Sequence, residues 1–280
     1  MNVAIIGIGL IGGSLGLALK EKKIAGRVIG VDANESHQQK ALELGLVDEV
    51  LEPEKAIGQS DLVLLCVPVD KAQMILPEIL KKIKKQVVVM DVGSTKSSIA
   101  AIAKANPGGG RFVATHPMWG TEFSGPEAAV KGAFTDKAVV ICDKDSSDTD
   151  ALKMVEDLYR QLGMHIIYMN STDHDLHAAY ISHISHITSF ALANTVLEKE
   201  KEDDAIFELA SAGFESTVRL AKSNPAMWVP IFMQNKENVL DVLNEHISQL
   251  RKFKSCLEKE NYEYLAELIQ NANTIKRILK

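Results

Sequence analysis

The stretch Val3-Ala4-Ile5-Ile6-Gly7-Ile8-Gly9-Leu10-Ile11-Gly12-Gly13-Ser14-Leu15-Gly16 decides the fold. An apolar run, Val3–Ile6, passes straight into Gly7-x-Gly9-x-x-Gly12, and helical spacing follows to about Lys22. In a strand–turn–helix unit each glycine has a mechanical task. Gly7 makes the tight turn, Gly9 lets the backbone around Leu10 and Ile11 approach a pyrophosphate, and Gly12 lets helix and strand pack closely. The helix N-terminus then faces the phosphates with its partial positive charge. A second strand ends in Gly30-Val31-Asp32, twenty residues past Gly12, where a carboxylate is placed to bond the adenosine ribose hydroxyls. A carboxylate there repels a 2′-phosphate, and no Arg follows in Ala33-Asn34-Glu35-Ser36, so the expected cofactor is NAD rather than NADP. Val67 and Pro68, at the end of another apolar strand, are expected to line the same cleft. The bland alternative is a glycine-rich turn that binds nothing.

Outward from this motif, short apolar runs at Arg27–Val31, Leu62–Val67, Val87–Asp91, Phe112–Thr115, Ala138–Cys142 and His165–Met169 alternate with helical patterns such as Ser36–Leu44, Lys71–Lys81 and Thr149–Leu162. Most of the strands lack in/out alternation, as expected when helices cover both faces of a parallel sheet. The expected fold is therefore α/β: a Rossmann-type doubly wound sheet over residues 1–169. After Met169 the texture changes. Asn170-Ser171-Thr172-Asp173 offers helix N-caps, and an uninterrupted helical pattern is expected from about Thr172 to Lys199, with further helices around 204–222, 226–258 and 260–279. Residues 170–280 are thus expected to form an all-helical substrate and dimerisation domain, with long apolar faces buried in a homodimer. Of the 18 glycines, 17 lie at or before Gly163, which fits a turn-rich first half and a helical second.

Composition excludes several function classes. With 280 residues, 46% of them apolar, the chain is an ordinary globular protein large enough for two domains. A net charge of −6 gives no basic excess for nucleic acid, and an anionic substrate must be captured by local charges. Cys66, Cys142 and Cys256 form no CxxC pair and fit a reducing, cytoplasmic setting without disulfide or metal framework. Residues 3–19 carry no charge, but five glycines interrupt them and no basic residue precedes them, so they are expected to be a buried strand and turn rather than a membrane segment.

Three clusters follow strand ends where ligands of open α/β sheets bind: Asp91-Val92-Gly93-Ser94-Thr95-Lys96, His116 through Glu122, and Ser124-Gly125-Pro126-Glu127. His116 reads equally as a catalytic base or as a hydrogen-bonded loop residue. Arg219, one of six arginines, reads equally as a carboxylate clamp or as an exposed partner of Glu215. His174, His177, His183 and His186 raise the question of a metal. On a regular helix, at about 100° per residue, they fall at roughly 0°, 300°, 180° and 120° and encircle the axis, so no metal site is expected. His183 and His186 share a face, whereas His174 and His177 are expected to be exposed or capping residues. Trp228 is either core or an aromatic wall with an N–H donor, and Trp119 is expected to be a pocket wall.

These motifs resemble the prephenate/arogenate dehydrogenase family of tyrosine biosynthesis. The likeness runs through the Gly7–Gly16 loop, Asp91–Lys96 and His116–Glu122 with its Ser-Gly-Pro-Glu continuation. It continues through His174-Asp175, Ala179, Ser182-His183, His186, Gly213-Phe214, Arg219, Ala221-Lys222-Ser223 and Pro225–Trp228. Departures are Ser185 and Phe123, where the family often has Pro and Lys, and Ala210-Ser211-Ala212 in place of a glycine run.

The resemblance implies NAD-dependent oxidative decarboxylation of prephenate to 4-hydroxyphenylpyruvate, CO₂ and NADH. It makes His116 the acceptor of the 4-hydroxyl proton, with Ser94 bonding His116 or the hydroxyl. It makes Arg219 the clamp of the ring carboxylate, His186 a substrate-side donor and His183 its support. Glu122 orients the cations or gates the cleft, or else is merely a solvated loop residue. Alternatives are an arogenate (cyclohexadienyl) dehydrogenase, a β-hydroxyacid dehydrogenase, or a non-catalytic NAD(H)-sensing protein. The β-hydroxyacid reading calls for a Lys on the long helix, and Thr172–Glu198 contains none. The chain is expected to lack a preceding mutase domain and a following regulatory domain, so that tyrosine feedback would act at the active site or dimer interface.

Overall fold

The computed structural model describes residues 1–201 and 206–278. Eight strands form one sheet: β1 (Asn2–Ile6), β2 (Arg27–Val31), β3 (Glu49–Val50), β4 (Leu62–Leu65), β5 (Val88–Asp91), β6 (Phe112–Pro117), β7 (Ala138–Cys142) and β8 (His165–Met169). Their order is β3-β2-β1-β4-β5-β6-β7-β8, and every neighbouring pair is parallel except β6–β7. Helices α1 (Leu10–Glu21), α2 (Glu35–Glu43), α3 (Pro53–Gly58), α4 (Val69–Lys82), α5 (Ser97–Lys104) and α6 (Thr149–Leu162) connect the strands. This is the Rossmann-type sheet expected from the sequence. Val3, Ile5, Leu62 and Leu64 pack in one apolar layer, while Ala4, Ile6, Val63 and Leu65 pack in the layer across the sheet. Both faces are buried, which is why the strands read as continuous apolar runs.

Two features of the sheet differ from a simple βαβ repeat. Strand β3 has two residues, too few for a pattern to show. Strand β7 runs antiparallel to β6 because residues 118–137 contain only a single 3₁₀ turn, Pro126–Ala128, and no crossover helix. Without a helix to carry the chain back across the sheet, β7 returns beside β6 in the opposite direction.

The described residues form two compact units, Met1–Asn235 and Lys236 onward. The first holds the sheet and the helices α7 (Ser171–Ala178), α8 (Ile184–Glu200), α9 (Ala212–Val218) and α10 (Pro225–Gln234). Asn170 is the N-cap of α7, its side chain accepting the Asp173 N–H. The helical run from Thr172 to Lys199 is not uninterrupted: Ala179–His183 form a π turn between α7 and α8. The pattern at 226–258 is broken too, at Asn235, whose side chain is drawn away to the Asp175 carbonyl. Of the segment expected at 204–222, residues 204 and 205 lie outside the described residues, as does 279 in the last one. The remainder of 206–222 is 3₁₀ turns flanking α9. The second unit is a hairpin of α11 (Lys236–Glu258) and α12 (Tyr262–Ala272) that leaves Leu250, Leu257, Tyr262 and Ile269 exposed. No described helix is long and apolar enough to cross a membrane.

Two glycines of the first loop are required by geometry. Gly7 has φ +95° and a Cβ there would lie 2.6 Å from the Cys66 carbonyl oxygen; a Cβ at Gly12 would lie 2.0 Å from the Gly7 oxygen. Gly9 differs, with an ordinary φ of −85° and open space around a Cβ. Gly12→Ala should therefore force α1 off the sheet and cost about 1–3 kcal/mol or more. Gly9→Ala should stay within about 0.5 kcal/mol of the parent. Urea unfolding of the two variants side by side checks the contrast.

Candidate active site

The carboxyl ends of the parallel strands β1, β4, β5 and β6 lie along one edge of the sheet, and the loops leaving them build the site. Gly9 is the N-cap of α1 and no side chain caps the helix, nor does an acidic residue occupy its first turn. The first-turn N–H groups, those of Leu10 and Ile11 among them, are thus not neutralised by a side chain, and the open space at Gly9 lies beside them. That is a cradle suited to a pyrophosphate. Asp32 follows β2, where its Oδ2 accepts the Ile8 N–H at 2.8 Å and its Oδ1 the Asn34 N–H at 2.9 Å. The carboxylate therefore also braces the glycine loop. After β4, Val67 is half-buried and Pro68 is exposed.

Next along the edge, β5 ends in Asp91 and β6 leads into His116, and a buried polar cluster locks the two ends together. Lys96, fully buried, pairs with the Asp91 carboxylate and donates to the Thr115 carbonyl at 2.8 Å. The Thr115 hydroxyl donates to the Asp91 carbonyl and accepts the phenolic proton of buried Tyr159. His116 is thereby held one residue beyond a fixed point. Its Nδ1 lies 2.8 Å from His174 Nε2, and His174 Nδ1 lies 2.9 Å from Asp175 Oδ1. Burial first, and then the neighbouring His174, Lys96 and His183, hold the His116 imidazole well below its usual pKa. Ser94 sits half-buried on the loop after β5, and among the described residues it makes no hydrogen bond to His116; the ring nitrogen facing the protein is taken by His174.

His174 was expected at the surface, yet it is buried and at the centre of this cluster. Its own partners hold it there: Asp175, which accepts from the start of α5, on one side and His116 on the other. The π turn that follows brings the later histidines to the same side. It inserts about one residue relative to an α-helix, which shifts all later positions by roughly 100°. His183 and His186 thereby rotate from the far side of the helix toward the face of His174. The spacing that argued against convergence assumed a regular helix. The adjacent His174-Asp175 pair was the available signal. His177 remains outside the cluster. Among the described residues no group of three His, Cys, Asp or Glu side chains forms a metal site.

His186 stacks on Trp228 with ring centroids 3.4 Å apart, and its Nδ1 donates to the Ser182 carbonyl at 3.0 Å, leaving Nε2 as an acceptor. His183 Nδ1 accepts from Asn235 Nδ2 at 3.1 Å, so the proton of the neutral ring sits on Nε2. That Nε2, like the indole Nε1 of Trp228, is buried and has no hydrogen-bond partner. The Trp228 ring packs with Val69, Ile231 and Phe232, as the core reading expects, and its indole N–H is unpaired. Trp119, expected as a pocket wall, instead packs edge-on against Phe134 at the apolar core. Arg219 is half exposed and pairs with Glu122 at 2.6 Å, not with Glu215. Glu122 is therefore no free loop residue. Its own backbone N–H and then Arg219 hold its carboxyl below the usual range.

Fold and site together define a class: a nucleotide-binding dehydrogenase fold whose sheet edge faces a histidine-lined helical segment. The chain belongs to the prephenate dehydrogenase family. Residues 15–168 match the family's nucleotide-binding domain and residues 170–271 its dimerization domain. The prephenate dehydrogenase of Bacillus subtilis is 30% identical over 97% of this chain and 74% of its own length. The cyclohexadienyl dehydrogenase of Zymomonas mobilis is 31% identical over the whole chain and 96% of its own. Among solved structures, prephenate dehydrogenase from A. aeolicus, in complex with hydroxyphenyl propionate and NAD⁺, superposes with a TM-score of 0.91. It is 30% identical, with 100% of this chain and 98% of that one covered.

Burial lowers the His183 pKa to about 4, the charge of His174 adding to the effect and that of Asp175 opposing it. Its folded value lies below the unfolded one, near 6.5, so the stabilisation is complete above pH 6.5 and is lost as pH falls toward 4. The loss from this residue should be on the order of 3 kcal/mol. Denaturation midpoints between pH 7 and 4 should fall less steeply in His183→Gln than in the parent.

Proposed function

We propose that the protein is an NAD-dependent prephenate dehydrogenase that converts prephenate to 4-hydroxyphenylpyruvate in tyrosine biosynthesis. Gly7, Gly9, Leu10, Ile11 and Gly12 would hold the pyrophosphate, Asp32 the adenosine ribose, and Val67 and Pro68 the cleft wall. The pre-arranged cradle at the start of α1 supports that fit. When bound, the oxidised nicotinamide supplies a hydride acceptor.

The chain's own residues do the rest. Prephenate loses a hydride from C4 and CO₂ from C1; the pair of electrons of the broken C–C bond enters the ring, which becomes aromatic. As C4 gives up hydride its hydroxyl grows acidic, and neutral His116 accepts or shares that proton until the phenol forms. Ser94, on the neighbouring loop, is placed to bond the hydroxyl. Aromatisation supplies the driving force, so the protein's main task is positioning.

The observation that carries the reading is the pair of buried, unpartnered N–H groups, His183 Nε2 and Trp228 Nε1, next to His186. Buried donors without partners cost about 1–3 kcal/mol each unless a ligand supplies acceptors. Carboxylate and keto oxygens do so. Arg219 would clamp the ring carboxylate, exchanging its bond to Glu122 for one to substrate. A keto oxygen accepts from these N–H groups, whereas an arogenate ammonium would have to turn to the His186 Nε2 acceptor beside them. The cyclohexadienyl dehydrogenase relative keeps arogenate as the second reading. The division between nucleotide and substrate halves near residue 170, and a homodimer through the helical half, are supported by the two family matches and the apolar side chains exposed on α11 and α12.

NADH formation followed spectrophotometrically with prephenate and with arogenate in turn tests the proposal. Prephenate should give the higher kcat/KM. Arg219→Ala should raise its KM about 10- to 100-fold with NAD affinity unchanged, and His116→Asn should lower kcat about 10²–10⁴-fold. Because His116 is neutral well below pH 6.5, the acid limb of kcat/KM should lie below that of an ordinary histidine. Turnover of arogenate alone would overturn the substrate assignment, and turnover of neither the reaction.

A further inference from the structure

The cluster behind His116 contains two side chains the reaction above does not use, His174 and Asp175. Both are buried. The Asp175 carboxylate is saturated with donors: Oδ1 accepts the Lys96 N–H at 2.7 Å and faces His174 Nδ1 at 2.9 Å, and Oδ2 accepts the Ser97 N–H at 2.8 Å. Both N–H groups lie at the start of α5, where the helix end favours negative charge. Burial works to raise the Asp175 pKa, but the bonds from His174, Ser97 and Lys96 more than offset it, so the group is an anion.

An anionic carboxylate can only accept, which places a proton on His174 Nδ1. The neutral ring then has a lone pair on Nε2, and that atom faces His116 Nδ1 at 2.8 Å. With a neutral His174, a hydrogen bond there requires His116 to carry its proton on Nδ1. Its Nε2 is then the lone-pair nitrogen, directed away from the cluster. The chain of tautomers runs in one direction from the start of α5 to the reacting edge of the ring.

We propose that His174, set by Asp175, is a positioning residue that fixes His116 in the Nδ1–H tautomer, so that Nε2 is the proton acceptor. This rests on His116 being the base of the reaction proposed above. The arrangement has a second effect. When Nε2 takes a proton, the imidazolium keeps its Nδ1–H bond to His174, and the nearby Asp175 anion stabilises the new positive charge. Without His174, the ring would be free to hold its proton on Nε2, where it can donate but not accept.

Histidine ¹⁵N NMR on the full-length protein, with the His116 resonances assigned by their loss in His116→Asn, reads the tautomer directly. The parent should show His116 protonated at Nδ1. His174→Gln, whose amide oxygen can accept at the position of Nε2, should preserve that signature and most of the turnover. His174→Leu should shift His116 toward the Nε2–H form and lower kcat about 10- to 1000-fold, with KM for prephenate and NAD changed less than twofold. A merely structural role would instead move stability and both KM values, and would not distinguish Gln from Leu. An Nε2–H signature in the parent, or a kcat unchanged in His174→Leu, overturns the proposal. An Nδ1–H signature in a parent that turns over neither substrate supports the tautomer assignment and overturns the dehydrogenase reading.

Discussion

The site depends on the buried pair of Lys96 and Asp91. A charged pair removed from water is costly, and it persists only when the remaining donors and acceptors are largely used. Here most are: Asp91 takes the N–H groups of Gly93 and Thr115 as well as the ammonium, and Lys96 also donates to the Thr115 carbonyl. These bonds tie the end of β5 to the end of β6. Ser94 lies on the loop after β5 and His116 near the end of β6, so their separation is set by a cluster neither belongs to. Tyr159, reaching in from α6, seals the cluster from the apolar side.

A second junction, Asp175, serves the helical half. Its carboxylate holds the start of α5 and His174, while its carbonyl accepts from Asn235, which in turn donates to His183. One residue thus relates the ring facing His116 to the ring next to Trp228. The strand end carrying His116 and the helices carrying His183 and Trp228 share a single polar anchor.

Much of this was legible in the sequence because its causes are local. The strand–glycine–helix unit at Val3–Gly16, Asp32 at the end of β2 and the alternation of strands with helices follow from short-range sterics and burial. His116 was legible as lying near a strand end, although the strand runs on through it to Pro117. What was hidden depends on non-local events. A π turn leaves no periodic trace in five residues, yet it rotates His183 and His186 toward His174. The burial of His174 was hidden because its partner His116 is 58 residues away in the chain. The break at Asn235 was hidden because its cause, a carbonyl sixty residues earlier, is distant in the chain. Arg219 offered a local partner in Glu215 and instead took a remote one in Glu122. The reversal of β7 was marked only by the missing helix between residues 118 and 137.

If Arg219 clamps a substrate carboxylate as proposed, its pair with Glu122 gives ligand capture an unusual character. A carboxylate arriving at a free guanidinium would gain the full ion pair, and any small acid could occupy the site. Here, arrival is an exchange of one carboxylate for another, with almost no net change in the number of salt links. Such a swap is close to thermoneutral, so the guanidinium alone offers little reward to a simple monoacid. A ligand must earn its place through the rest of its contacts, reaching the donors near Trp228 at the same time. On that reading the ion pair would act as a filter on molecular length, even though it measures only charge.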